Sequence, residues 1–242
     1  MKNQIVGTIM CFSLIFSTIH PLSATEGMWI PSMIKKMVAG DMNAMGMKIS
    51  ADDLYSINQS CIKDAVVHFN GGCTSVLVSD KGLLLTNHHC GYSRIQAHSS
   101  LENNYLKDGF WASGLDKELS NPGMNASIIK EIRDVTDAIL GELPENATEA
   151  ERAALVKIKS AELVESAIDG THYQAYIRPF YFGNQYLIFI TEVFEDVRLV
   201  GAPPSSIGKY GYDTDNWVWP RHTGDFSVFR IYANKDNKPA EY

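Results

Sequence analysis

Several things are scarce or missing from this chain of 242 residues. Cysteine is scarce, with four in all. None lies in a Cys-x-x-Cys pair, and no His-x-x-x-His helper accompanies them, so the ligand spacing of a structural zinc site is absent. An excess of basic charge is also missing. Twenty-one Lys and Arg stand against 28 Asp and Glu, for a net charge of -7. That balance excludes non-specific binding of nucleic acid through a basic face. No internal repeat or low-complexity tract is present, and the composition, 45% hydrophobic and 20% charged, is that of an ordinary globular protein. After residue 24 no segment is long and apolar enough to cross a bilayer, which takes ~20 residues.

The amino terminus differs from the rest. Lys2 gives a positive start, Ile5 to Ile19 is almost uncharged and largely apolar, and Leu22-Ser23-Ala24 offers small residues before Thr25. This is the layout of a secretory leader rather than an anchor, because the apolar run is short and His20-Pro21 breaks it. Residues 1–24 are therefore expected to be removed on export, leaving 25–242 as the folded part. An exported chain meets an oxidising compartment. Cys73 and Cys90 fall on adjacent expected strands, close enough for a bridge. Cys61 is left over, either packed as a small apolar residue or paired outside the chain.

The richest stretch is Thr86-Asn87-His88-His89-Cys90. An apolar strand from Cys73, a turn at Asp80-Lys81-Gly82 and a second strand lead into it. Further along, Ile128, Ile129, Ile132, Val135 and Ile139 recur at helical spacing and predict a helix ending near Gly141. Thr148 with Glu151 has the form of a capping box and starts a second helix that runs to Gly170. The period then becomes two. His172 to Phe182 and Tyr186 to Val193 read as a hairpin around Gly183-Asn184. Val197 to Val200 and Asp225 to Tyr232 read as further strands, and Asn234 to Lys238 as a polar turn. Residues 94–98 read as one helical turn, and Asn103 to Trp111 and Ser205-Ser206 as loops.

His89 and Asp225 form the candidate catalytic pair. A hydroxyl nucleophile needs a base, imidazole titrates near neutrality, and a carboxylate can fix its tautomer. Gly224 would let the backbone pass close to that base. If both histidines were extended they would face opposite ways, so only one reaches a cleft. His89 is the choice, since it sits beside Cys90 as in the Thr-Ala-Ala-His-Cys of chymotrypsin-like peptidases. His88 is then structural. A zinc reading of His-His-Cys is disfavoured because adjacent residues rarely converge on one ion. No serine has the tight Gly turn that builds an oxyanion hole, Ser205 and Ser206 included.

Taken with Gly72-Cys73-Thr74, with Tyr105-Leu106-Lys107-Asp108-Gly109-Phe110-Trp111 and with the long run Asp213 to Ser227, the sequence resembles the bacterial serine dipeptidyl-peptidases of the dipeptidyl-peptidase 7 and 11 type. The resemblance covers essentially all of residues 25–242. It implies a mainly β, chymotrypsin-like (trypsin-like) barrel with a helical insertion. Here that barrel is expected to be incomplete, with the helical segment at about 125–170 lying between His89 and Asp225. It implies release of dipeptides from peptides with a free N-terminus, no cofactor and no metal, export to the periplasm or cell surface, and a homodimer for the full-length form. It makes His89 the base and Asp225 its orienter. Asn216 and Trp217 match positions that hold the substrate's N-terminal end. An amide oxygen can accept from an ammonium and an indole face can attract one. Trp219 is expected to pack in the core.

The departure lies in length. Family members are far longer, and their serine, in a Gly-Asn-Ser-Gly turn, has no counterpart here. The chain is therefore expected to be a fragment or truncated form, inactive alone. The alternative is a non-catalytic exported module that binds peptides.

Overall fold

A computed structural model describes residues 29–57, 59–144, 146–215 and 217–233, the side chains of Asp213 and Asp215 excepted. The expected leader, Asn216 and the turn after Ala233 lie outside the described residues. The described strands and helices all belong to the compact unit Pro31–Tyr242; of the other unit, Met1–Ile30, only Trp29 and Ile30 are described.

The described strands are β1 (Val66–Phe69), β2 (Cys73–Leu77), β3 (Leu83–Thr86), β4 (Phe110–Trp111), β5 (Leu119–Ser120), β6 (Ala126–Asp134), β7 (Gln174–Phe180), β8 (Gln185–Phe194), β9 (Asp196–Ala202) and β10 (Ser227–Tyr232). They form one antiparallel sheet in the order β4-β9-β10-β3-β2-β1-β6-β8-β7, with β5 also paired to β9. Among the described strands the path does not close on itself, as expected of an incomplete barrel. The helices α1 (His88–His98), α2 (Thr136–Leu140), α3 (Glu149–Ile168) and α4 (Ser205–Gly208) pack on this sheet or against one another.

Alternation explains the short strands. In β1 Val67 and Phe69 are fully buried while their neighbours face outward, the period that a half-buried strand requires. Their side chains join Leu84, Ile95, Val197, Leu199 and Phe229 in one core. Phe69 and Phe229 meet edge to face with ring centroids 4.9 Å apart, a pairing worth about 0.5–1.5 kcal/mol beyond the area it buries. A second core holds Val135, Ile139, Tyr186, Ile188 and Ile190, covered by Val156, Leu163 and Val164 of α3. The helix starts as its sequence directs. Thr148 Oγ1 accepts from the Glu151 amide at 3.3 Å, and the Glu151 carboxylate accepts from the Thr148 amide at 2.8 Å.

One predicted helix is largely a strand. Residues 126–134 form β6, and only Thr136–Leu140 is helical. The reason is a bulge: the register of β6 against β8 shifts between Ile129 and Glu131. An extra residue in a strand breaks its alternation, and the isoleucines on either side then fall at a spacing that mimics a helix. The helical segment between His89 and Asp225 is thus α2 and α3. Smaller differences occur elsewhere. Tyr105–Asp108 and Ser205–Gly208 are short helices where loops were expected.

Candidate active site

The ladder between β3 and β10 builds the site. Ser227 pairs with Thr86, so the residues just before one strand lie beside those just after the other. Ser227 Oγ donates to the Asn87 carbonyl at 2.8 Å. Asn87 then caps α1 in an extended conformation, and His88 and His89 open the helix.

This corrects the expected setting. The strand stops at Thr86, and His89 lies in the first turn of α1 rather than at a strand end. Successive helical residues are roughly 100° apart, not opposed. Of the two, His88 is fully buried, and the side chain of His89 is 61 % exposed.

Asp225 meets His89 at two points. Its Oδ2 lies 2.7 Å from His89 Nδ1, and its Oδ1 accepts from the His89 backbone N–H at 3.0 Å. The Asn87 amide nitrogen donates to Asp225 Oδ2 and to the Asp225 carbonyl, each at 3.2 Å. The carboxylate is therefore fixed in direction as well as in place. Nδ1 is the ring atom turned to Asp225, which puts Nε2 on the other side of the ring.

Around this pair is a groove of about 440 Å³ lined by His89, Gly208, Lys209, Tyr210, Tyr212, Thr223 and Asp225. Lys209 Nζ lies 4.6 Å from the centre of the Tyr92 ring, a cation–π distance. Trp217 and Trp219 are 87 % and 89 % exposed, so neither packs in the core, contrary to the expectation for Trp219. Gly224 approaches Ile207 rather than the base: its amide donates to the Ile207 carbonyl at 2.9 Å. The Ser205 hydroxyl lies 3.0 Å from Nε2 of His88, not of His89.

Cys73 and Cys90 form the disulfide, with Cα atoms 6.1 Å apart. It ties the first turn of α1 to β2. Cys73, Cys90 and His89 also bring their potential ligand atoms within 4.8 Å of one another. With the sulfurs joined, neither cysteine offers the thiolate that zinc binds. Cys61 is free and half buried, and its sulfur accepts from the Ser56 amide at 3.1 Å. Gly91 is demanded by the same packing. A Cβ there would stand 2.7 Å from Ser227 Oγ and 3.1 Å from the Phe229 ring, so only glycine lets α1 lie this close to β10.

Sequence reasoning missed Asn87 and the groove wall. Asn87 was legible in principle, as an amide two residues before the base. Lys209 and Tyr210 carry no local signal.

Residues 24–242 match the family described as Peptidase S46. The Asp/Glu-specific dipeptidyl-peptidase of Capnocytophaga gingivalis is 56% identical over 216 residues, which span 89% of this chain and 30% of that protein. Dipeptidyl-peptidase 7 of the same organism is 42% identical over 242 residues, 100% of this chain and 34% of that one. The crystal structure of Porphyromonas endodontalis DPP11 in complex with dipeptide Arg-Glu superposes with a TM-score of 0.79 at 52% identity, over 90% of this chain and 32% of that one. The chain spans about a third of the length of these relatives.

Proposed function

The chain belongs to the peptidase S46 family, and from that premise we propose that it carries the His–Asp part of a serine-type dipeptidyl-peptidase. The observation behind this reading is the 2.7 Å contact between His89 Nδ1 and Asp225 Oδ2. With Nδ1–H donated to the carboxylate, Nε2 is the basic atom. It takes the proton of a serine hydroxyl as that oxygen attacks the peptide carbonyl, and returns it to the leaving amine. Asp225 holds the tautomer and stabilises the imidazolium. In this reading none of the serines of the 242-residue chain is the nucleophile, and the chain by itself is inactive.

The substrate is a peptide with a free N-terminus. The exposed indole of Trp217 has a face available to an α-ammonium, and Asn216 precedes it. Of the two Capnocytophaga relatives the Asp/Glu-specific one is the more similar, which favours an acidic residue before the cleaved bond. The full-length form acts as a homodimer after export to the periplasm or cell surface. The leader-like residues 1–24 and the Cys73–Cys90 bridge support that destination.

The test is hydrolysis of dipeptidyl reporters ending in Asp or Glu, with and without an acetyl block on the amino group. The serine-bearing polypeptide should cleave only the free form, and the 242-residue chain neither. Equal cleavage of the blocked reporter, or turnover by the chain alone, would sink this reading. Binding of free dipeptides with no cleavage by any form would favour a peptide-binding module instead.

A further inference from the structure

His88 is buried, titratable and adjacent to the base, yet the proton transfers at His89 leave it idle. Its surroundings are specific. Nε2 lies 3.0 Å from Ser205 Oγ at the start of α4. At the other end of α4 the backbone of Gly208 lies against the ring, so closely that a Cβ there would stand 2.5 Å from His88 Cγ. The Tyr92 ring meets the imidazole edge-on, with centroids 6.2 Å apart.

From α4 the contacts lead back to the catalytic carboxylate. The Ile207 carbonyl accepts from the Gly224 amide at 2.9 Å and from Thr223 Oγ1 at 3.2 Å. Thr223 Oγ1 also reaches the Gly208 carbonyl at 3.4 Å. The residue after Gly224 is Asp225. Gly208 and Thr223 both line the groove in front of His89. A continuous run of hydrogen bonds and packing thus joins His88, through α4, to the segment that delivers the carboxylate to the neighbouring histidine.

We propose that His88 is a positioning residue: its hydrogen bond with Ser205 fastens α4 to α1, and α4 in turn holds Thr223–Asp225 so that the carboxylate meets His89 Nδ1. The paired histidines therefore divide the work, one facing substrate and the other setting the partner of the first. Burial lowers the pKa of His88, opposed by the charge of Asp225, so the ring stays neutral around pH 7 and keeps one nitrogen as an acceptor. The Ser205 hydroxyl serves this contact and is not a nucleophile.

The inference rests on the proposed peptidase function, and the experiment separates the two. Three variants are compared with the parent chain: His88→Phe, which keeps a ring but loses the bond; His88→Gln, whose amide can restore it; and Ser205→Ala, which removes the partner. The proton on His89 Nδ1, deshielded by its bond to Asp225, is followed by NMR in the 242-residue chain. In the serine-bearing polypeptide kcat and KM are measured separately.

His88→Phe and Ser205→Ala should weaken or abolish the deshielded resonance and lower kcat by roughly 10²-fold, the usual cost of a displaced catalytic group, with KM little changed. His88→Gln should recover most of both. The double variant His88→Phe with Ser205→Ala should be no worse than either single one. Unchanged resonances and kcat in both single variants, even if both melt earlier, would reduce His88 to a core filler and overturn the proposal. A parent chain lacking the deshielded proton would overturn it too. If no form hydrolyses a reporter, the peptidase reading fails while the resonance still decides the role of His88.

Discussion

Asp225 holds His89 by ring and backbone together, with one carboxylate oxygen 2.7 Å from Nδ1 and the other 3.0 Å from the main-chain nitrogen. The double attachment makes the carboxylate an orienting group, because rotating either side chain breaks a bond. Asp225→Asn keeps the shape but sets an amide N–H₂ against a backbone donor or against Nδ1–H. The imidazole is then driven to the wrong tautomer. In the serine-bearing polypeptide kcat should fall about 10⁴-fold. The check is steady-state kinetics beside a melting curve, and a fall of less than tenfold in a folded variant would mean that Asp225 does not orient the base.

Removing the bridge should destabilise the fold. Cys73 and Cys90 are 17 residues apart, and closing a loop of that size stabilises a domain by about 3 kcal/mol through the unfolded state. Urea unfolding of the double variant Cys73→Ser, Cys90→Ser against the parent measures it. Because Cys90 follows His89, kcat of the serine-bearing form should drop as well. A loss of stability with kcat unchanged would show that α1 keeps its place through Gly91 packing alone.

Much of the fold was legible because its signals are local. An apolar run broken by a turn gave β2 and β3, and a period of two gave the hairpin of β7 and β8 and the strand β10. The Thr148 capping box gave the start of α3. The pair His89–Asp225 was legible because each residue sits in a distinctive motif. What failed was of another kind. A bulge between Ile129 and Glu131 made a strand look helical, since periodicity cannot register an inserted residue. The helix at His88 was hidden because Thr86-Asn87-His88-His89-Cys90 continues an apolar strand, and the only marker of the change is Asn87 as a cap. The wall formed by α4 was invisible. Its contact with His88 spans 117 residues, and only the β3–β10 ladder brings the two together.

Acid should weaken the fold through His88. Its pKa is lowered in the folded chain by burial, with Asp225 opposing, so the unfolded chain binds its proton first. Stability is then complete above the unfolded value of 6.5 and falls as pH drops from there towards the folded value, because protons favour the unfolded state. The melting temperature of the parent should decline on going from pH 7 to 5, a window above that of ordinary carboxylates. His88→Gln should flatten that part of the curve. An equal decline in parent and variant would assign the acid sensitivity to other groups.

The strand that follows Asp225 is anchored at its far end by a buried ion pair. Arg230 Nε donates to both Glu118 oxygens, at 3.0 and 3.1 Å, and Tyr232 donates its hydroxyl to the same carboxylate at 2.8 Å. The Glu118 side chain is only 3% exposed and that of Arg230 13%. Burial and then the Glu118 hydrogen bond push the Tyr232 hydroxyl up to about 12, so it remains a donor at any working pH. A buried pair contributes little relative to an apolar replacement of both members, but deleting one leaves the other's charge uncompensated, at about 3–5 kcal/mol. Glu118→Ala should therefore cost that much in urea unfolding. Replacing both, as in Glu118→Leu with Arg230→Met, should cost far less than twice the single change. Additive losses would mean that the two side chains stabilise β10 independently, and that the carboxylate's role is to hold Leu115–Ser120 rather than to neutralise Arg230.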